Sequence, residues 1–453
     1  MLAGVLLVLA LALRVGQVER TAYHPINDGA AYLTLAGVIA HTGDYPDSHA
    51  AGTAAGGSRG PTAYFPPAFP YLLAAVDLID GHSGSRDGAV QGARLSQAVL
   101  GTAITAMAGL VAAEAFGELV GWIALALAAI YPVFIELSAV LVAENLMTLL
   151  VLAAIWAGLR AHRSRRPYRW LAVAGVLTGL ATLSHINSFL MLVPLAVGAW
   201  SLPRPGPSLI RRRAAGVASL LVAVLLTLTP WAIRNAIELG RFIPVADETG
   251  ITLAGTYNAG SAANHQIPYR WRIFSQIPGE APALVHPVNL SEAELSSRLQ
   301  SQALHYIGRH PLAPLAVLYH NSRRLLELEG SAAWKDSAAS IGLPLGTARI
   351  GVVCFWALCA LAIGGALTPL ARRAPWWPWL APVLLWVSAA LINGETPRFR
   401  EPIDPFLILL GACALAQLAL VAAPRLAAPA RRQRRAAVAG GSRQLVEMRE
   451  RLA

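Results

Sequence analysis

Six short stretches of this chain carry ionisable or hydrogen-bonding residues against an apolar background. "HPINDGAAYLTLAGVIAHTGDYP" (24–46) holds a lone acid, Asp28, where a helical pattern begins. "TAYFPPAFPYLLAAVDLI" (62–79) opens with Tyr64, and "AENLMTLL" (143–150) carries Glu144 and Asn145. "ATLSHINSF" (181–189) brings His185 and Asn187, "TPWAIRN" (229–235) brings Arg234 and Asn235, and "NGETPRFREPIDP" (393–405) brings Arg398 and Arg400 with Glu395, Glu401 and Asp404. A carboxylate within reach of a hydroxyl can take its proton. Arginine receives a phosphate through two parallel N–H donors, and His or Asn can support the same charge. The chemistry these residue types suggest is attack by an alcohol, helped by a base, with a phosphate leaving towards arginines.

The background fixes where that chemistry would happen. The chain has 453 residues, 55% of them hydrophobic and only 13% charged, and a mean hydropathy of +0.52. A soluble domain carries about 25% charged residues, so this composition describes a membrane protein. A net charge of +11 would suggest nucleic acid in a soluble chain, but here the arginines sit in short loops between apolar runs, and no nucleic acid is expected. Cys354, Cys359 and Cys413 lie inside apolar runs and read as small core residues, with neither a disulfide framework nor a cysteine zinc site.

Crossing roughly 30 Å of hydrocarbon takes about 20 apolar residues. Ten such stretches are expected, near 1–18, 89–114, 119–137, 139–160, 170–183, 186–202, 214–233, 349–370, 376–392 and 404–423. The first lacks a basic start and a small-residue cleavage site, and reads as a retained span. The pair from 170 to 202 is interrupted by polar groups and could also be one long bent span. Arginine placement orients the set: the segments 160–169, 204–213, 371–375 and the tail from 424 carry 5, 4, 2 and 8 arginines. By the positive-inside rule these are cytoplasmic, as are both termini. The tail from 424 to 453 reads as a basic membrane-surface or disordered segment.

Two large segments then face outward, 19–88 and 234–348. In the first, Leu33, Ala36, Gly37 and Ala40 share a helical face that Gly43 and Pro46 terminate, as in an interfacial helix. A second interfacial helix follows the prolines at 66 and 67, with a flexible loop at 50–60 between them. The second segment opens a helix at Ser291 with Glu294 in capping-box spacing and stops it at Pro311; 312–330 is a further helix. This predicts a small, mostly helical outer domain. Asn289, Leu290 and Ser291 form a sequon of little weight. The division is therefore 1–233 as transmembrane core with the first outer loop, 234–348 as outer domain, 349–423 as C-terminal spans and 424–453 as tail.

A charge near mid-membrane costs on the order of 3 kcal/mol and normally faces a polar cavity or a partner. Glu136, Glu144, His185, Arg234, Asn235, Arg398 and Arg400 all fall towards the outer side. An acid in the first outer loop and arginines arriving from distant spans suit a sugar carried on a lipid phosphate. An acceptor hydroxyl attacks the anomeric carbon, Asp28 takes its proton and the arginines receive the leaving phosphate.

The stretches "INDGAAYLTLAGVIAHTGDYP", "YFPPAFPYLLA", "AENLMTLLVLAAIWA", "TPWAIRNAIELGRFIPV", "SEAELSSRLQSQALHYIGRHP" and "PRFREPIDPFLILL", in this order from about residue 1 to 423, resemble the polyprenyl-phosphate-sugar-dependent glycosyltransferases of the protein mannosyltransferase and lipopolysaccharide sugar transferase type. The resemblance implies an all-α polytopic C-type glycosyltransferase fold, interfacial helices in the first loop and an inverting reaction with Asp28 as the catalytic acid. It also implies a polyprenyl-phosphate-linked donor and a cell-envelope glycan, lipid or protein acceptor. Several family members double the acid at this point. Here Asn27 and Gly29 flank a single one, which speaks against a divalent metal, and no other cofactor is expected.

Each residue has a plainer competing role. Asp28 could cap a helix, Arg234, Arg398 and Arg400 could be interfacial anchors, and Glu144 with Asn145 could be a hydrogen-bonded pair between spans. His185 could be a buried structural histidine, and Tyr64, Phe65, Pro66 and Pro67 shape a cavity wall. Two other classes stay open: a transporter or lipid flippase, against which no internal repeat is visible, and a non-catalytic assembly protein on the same fold.

Overall fold

The computed structural model describes residues 1–48, 60–80, 86–202, 209–273 and 290–422. The expected loop at 50–60 falls almost entirely outside these residues; Asn289 of the sequon and the basic tail from 424 lie wholly outside them. Among the described residues the chain is helical, and the only β pairing is an isolated bridge between Asp47 and Pro61. The first outer loop is framed by α1 (Leu2–Arg20), α2 (Asn27–Thr42) and α3 (Ala68–Asp80). The bundle continues with α4 (Arg86–Phe116), α5 (Glu118–Ile130), α6 (Pro132–Leu137), α7 (Glu144–Arg163), α8 (Pro167–Ser184), α9 (Leu192–Trp200) and α10 (Leu209–Glu238). Next come α11 (Thr249–Thr256), α12 (Ala259–Ala262), α13 (Glu292–Arg309), α14 (Ala313–Leu325) and α15 (Ser331–Ser340). The chain returns to the bundle with α16 (Leu345–Ala366) and α17 (Leu380–Ile392) and closes with α18 (Asp404–Ala422).

Six of these, α1, α4, α7, α10, α16 and α18, are long and apolar enough to cross a membrane. Shorter apolar helices lie at the expected positions 119–137, 186–202 and 376–392, α8 lies at 170–183, and the protein is a multi-pass membrane protein. One boundary differs from the sequence reading for a local reason, and at 170–202 the structure has the expected pair of helices. The fourth span does not begin at 139: residues 138–143 run as turns and extended chain, so Glu144 opens α7 instead of lying inside a span. An acid in a first turn is favoured there by the helix dipole. The segment 170–202 is not one bent helix. His185 adopts an extended backbone that ends α8, and a 3₁₀ turn at Ile186–Met191 leads into α9.

The bundle is held by α8 packing on α7 and α10, and by α4 packing on α5 and α7. Small residues permit the close approaches, as TM helices require without a hydrophobic force between them. Arg14, at mid-helix in α1, is fully buried and donates to the carbonyls of Ala10, Ala128 and Ala129 and to Thr105 Oγ1 at 2.9–3.3 Å. A guanidinium that faces the bundle interior in this way avoids the lipid it could not tolerate. In the first loop α2 packs against α3. Its buried face is Ala31, Tyr32, Leu35, Ala36 and Ile39, which keeps Ala36 of the expected Leu33, Ala36, Gly37 and Ala40 but lies one step round the helix from the other three. Tyr32 sets that register by packing on Phe65 and Phe69. Gly43 ends α2 with φ 80°, as its position suggested.

Candidate active site

The stretch Asn27–Asp28–Gly29 has a structural reason at each residue. Asn27 takes a left-handed backbone (φ 48°), which Asn tolerates better than most side chains, and its amide donates to the Ser340 carbonyl of α15 at 2.8 Å. A Cβ at Gly29 would lie 2.7 Å from the Tyr23 hydroxyl and 3.3 Å from the Leu141 carbonyl, so only glycine lets the first turn of α2 settle on the 138–143 segment. Asp28 is thereby fixed between two anchored neighbours. It is not the helix cap: Ile26 holds that position, with no side-chain capping bond.

Asp28 faces a cavity of about 390 Å³. Arg398 Nη1 donates to Asp28 Oδ2 at 2.8 Å, while Arg398 Nε lies 3.7 Å from both Glu144 Oε1 and Glu395 Oε2. The guanidinium also covers the Phe399 ring, 4.4 Å from its centroid. Burial disfavours charge on Arg398, but the three surrounding carboxylates more than offset it and hold the group firmly cationic. His185 lines the same wall, edge-on to Phe399. Burial holds its ring below the usual histidine range, against the pull of Glu144. Tyr64 lines the opposite side, buried and packed edge-on against Phe65. Of the eight residues weighed as catalytic or binding groups (Asp28, Tyr64, Glu144, His185, Arg234, Asn235, Arg398 and Arg400), the five Asp28, Tyr64, Glu144, His185 and Arg398 therefore share one cavity, which Asn187 and Glu395 also line.

The other three lie elsewhere. Arg234 and Asn235 sit within α10, which continues past Pro230 to Glu238. Arg234 Nη1 donates to the Thr62 carbonyl at 2.8 Å and the guanidinium stacks on Trp231 and Tyr45. Asn235 donates to the Ile243 carbonyl at 2.9 Å. Both fasten chain segments next to the cavity wall. Glu292 completes that fastening from α13, accepting from Ser48 Oγ, Thr62 Oγ1 and the Ala63 amide at 2.6–2.7 Å. Arg400 is only two residues from Arg398 in a 3₁₀ turn, so the two side chains project in different directions. Its guanidinium is 1% exposed, bonded to Glu327 Oε1 at 2.7 Å, to Asp404 Oδ1 at 3.2 Å and to the Leu325 carbonyl, over the Phe355 ring.

Several cavity residues carried no sequence signal that was used. Glu248 precedes α11, where burial, then Asp28 and Glu144, raise its pKa to about 8 against the opposing effect of Arg398. Arg270, Trp271 and Arg272 form the wall opposite α2. Arg270 pairs with Asp336. Arg272 Nε and Trp271 Nε1 are buried with no hydrogen-bond partner among the described residues. The alternation in "YRWR" could have marked them, since residues i and i+2 of an extended segment point the same way. Among the described residues no three His, Cys, Asp or Glu side chains gather as metal ligands; the cavity carboxylates converge on Arg398 instead.

An all-helical multi-pass bundle with an acid and arginines gathered in a cavity at one end has the C-type glycosyltransferase fold. Residues 65–233 match the family model of dolichyl-phosphate-mannose-protein mannosyltransferases, in keeping with the resemblance read from the motifs. Asp28 and Arg398 lie outside that match. The Archaeoglobus fulgidus oligosaccharyltransferase, solved in complex with Zn and sulfate, superposes with a TM-score of 0.54 at 15% identity, covering 94% of this chain and 50% of that one. The archaeal oligosaccharyltransferase AglB from Archaeoglobus fulgidus, in complex with an inhibitory peptide and a dolichol-phosphate, gives 0.50 at 15% identity over 94% and 51%. ArnT from Cupriavidus metallidurans, bound to undecaprenyl phosphate, gives 0.39 at 15% identity over 91% and 77%. The chain thus spans about half the length of the oligosaccharyltransferases it resembles. No curated protein matches the sequence.

Proposed function

We propose that the protein is an inverting membrane glycosyltransferase that moves a sugar from a polyprenyl-phosphate donor to a hydroxyl acceptor at the outer face. The observation that carries the reading is the meeting of Asp28 with Arg398 inside a cavity that also holds Arg270 and Arg272. The Arg398 bond engages Asp28 Oδ2 and leaves Oδ1 to receive a proton. The acceptor oxygen forms a bond to the anomeric carbon as the bond from that carbon to the phosphate oxygen breaks. The proton passes to Asp28, and the electron pair leaves with the lipid phosphate. Arg272 has donor capacity to spare, and with Arg398 and Arg270 it receives that charge. Tyr64 and His185 wall the sugar, and Glu144 steadies Arg398. The dolichyl-phosphate-mannose description of the matched family and the dolichol-phosphate in the AglB complex both support a lipid-phosphate donor.

The test is to incubate the purified protein in lipid with a panel of polyprenyl-phosphate sugars, hexose and pentose, and to follow release of polyprenyl phosphate. Turnover of one donor, with the anomeric configuration inverted in the product, is expected. Movement of donor across vesicles with no cleavage of any panel member would replace this reading with that of a lipid transporter.

A further inference from the structure

The segment between residues 234 and 344 contains two neighbouring helices with opposite surfaces. On α13 the exposed positions are polar apart from Leu304 (55%) and Gly308: Ser291, which caps it, then Glu294, Ser297, Arg298, Gln300, Ser301, His305 and Arg309. Such a helix faces water. On α14 and the turns flanking it, the exposed large apolar side chains are Leu312 (72%), Leu315 (63%), Tyr319 (58%), Leu326 and Leu328, with the Arg323 side chain, 41% exposed, donating to the Tyr319 hydroxyl at the end of the stripe. Leu312, Leu315 and Tyr319 follow helical spacing, so they form one continuous apolar stripe. The polar residues of α14 turn inwards: Asn321 donates to the Ala390 carbonyl of α17, and Arg324 to the Pro268 and Tyr269 carbonyls. This inversion is the pattern of a helix whose outside is not water.

The stripe adjoins exposed apolar surface on α16, which is long and apolar enough to cross a membrane, and on the shorter apolar α17. Ile350, Val353 and Trp356 are exposed on α16, and Val383 and Val387 on α17. Trp356 Nε1 donates to the Leu326 carbonyl at 2.9 Å, and Trp386 Nε1 to Ser322 Oγ at 3.1 Å. Both indoles therefore tie α14 to the span surfaces, in the amphipathic setting that tryptophan takes at a bilayer boundary. Arg323 closes the helix, its guanidinium held by the Leu328 carbonyl and Glu329.

We infer that α14 is an in-plane membrane helix, its Leu312–Leu315–Tyr319 face set into the leaflet on the cavity's side, while α13 stands in water above it. The occupant of this surface is the acyl region of the bilayer. The inference rests on the multi-pass architecture and stands independently of the transfer reaction. It changes the picture of residues 234–348 from a mostly helical outer domain to one whose second long helix is a membrane anchor, tied to Arg400 through the Leu325 carbonyl and to the Pro268 and Tyr269 carbonyls through Arg324.

The experiment places nitroxide labels at Leu312→Cys, Leu315→Cys and Tyr319→Cys, and for contrast at Ser297→Cys and Gln300→Cys. All are made in full-length protein whose three native cysteines are replaced by alanine, reconstituted in phospholipid nanodiscs. Collisions with oxygen should exceed those with a water-soluble nickel chelate at 312, 315 and 319, and the order should reverse at 297 and 300. In parallel, the unmodified protein is irradiated in vesicles containing a diazirine-tailed phospholipid, with crosslinks expected within 311–328. Chelate-dominated collisions on α14 would overturn the inference. So would labels shielded from both reagents with no lipid crosslink, which would mean that protein covers the stripe.

Discussion

Asp28 and Arg398 are 370 positions apart in the chain, yet their side chains meet at 2.8 Å. The pair joins the first helix of the first outer loop to the turn before the last span, and so closes the cavity across the whole bundle. Asp28 remains the more accessible partner, its side chain 36% exposed against 14% for Arg398. Exposure of the acid beside a buried guanidinium suits a group that must exchange a proton with a substrate. Asp28→Asn keeps the shape and an oxygen for Arg398 but removes the base. Transfer should fall by roughly 10²–10⁴-fold, the usual contribution of a positioned base, with donor affinity nearly unchanged. Single-turnover assays alongside donor titration measure both, and wild-type turnover in this variant would remove Asp28 from the mechanism.

Arg398→Ala leaves Asp28, Glu144 and Glu395 facing one another around an empty centre. A charge-assisted contact to phosphate contributes about 1.5–3 kcal/mol, so donor affinity should weaken by roughly ten- to a hundredfold. Arg398→Lys restores the charge but not the fork, and should recover thermal stability more than donor binding. Equal donor affinity in all three proteins would reduce Arg398 to a structural tie.

Glu248 supplies a pH signature. Its pKa is raised from 4.5 to about 8, chiefly by burial and then by Asp28, so the folded protein keeps a proton that the unfolded chain releases. The associated stability is complete below about pH 4.5 and is lost as pH climbs towards 8. Glu395, raised by burial and Asp28 against Arg398, works in the same direction. Melting temperature should therefore decline across this window, and Glu248→Gln should flatten the decline. Donor binding should also weaken above about pH 8, because ionised Glu248 adds negative charge beside Asp28 where an anionic phosphate must enter. A Glu248→Gln protein with the wild-type pH profile would contradict both expectations.

Much of this arrangement was legible because apolar runs report depth. Asp28, Glu144, His185, Arg234 and Arg398 were all read at the outer level, and hydropathy suffices for that. Depth does not give azimuth. Arg234 and Arg398 have similar local sequence, but only Arg398 turns into the cavity, while Arg234 is held by Thr62, Tyr45 and Trp231 from elements distant in the chain. Arg398 and Arg400 could not be separated without knowing that a 3₁₀ turn carries them. Glu248 stands alone before α11 with no partner in the local sequence, and the alternation at 269–272 shows only that Arg270 and Arg272 share a side, not that this side faces Asp28's cavity.

We propose, from the arginine-rich loops alone, that the cavity is extracytoplasmic. A reporter fused after residue 260, within α12, should be active outside the cytoplasm, and one inserted in the loop between α7 and α8 should be active within it. The opposite pair of signals would place the cavity on the cytoplasmic side and with it the site of transfer.

Arg400 separates a structural arginine from a binding one. It is as buried as any side chain in the bundle, and Glu327 and Asp404 have almost no water to replace it. Arg400→Met strands both carboxylates, and removing one partner of such a buried set costs about 3–5 kcal/mol. The single variant should accordingly melt far below wild type. Neutralising its partners as well, in Arg400→Met with Glu327→Gln and Asp404→Asn, removes the uncompensated charge and should restore much of the loss. Because no Arg400 atom reaches the cavity, the triple variant should bind polyprenyl phosphate as wild type does. If it melts normally yet fails to bind, Arg400 must turn towards the lipid phosphate in the working enzyme, and the division between Arg398 and Arg400 drawn from the 3₁₀ turn would be reversed.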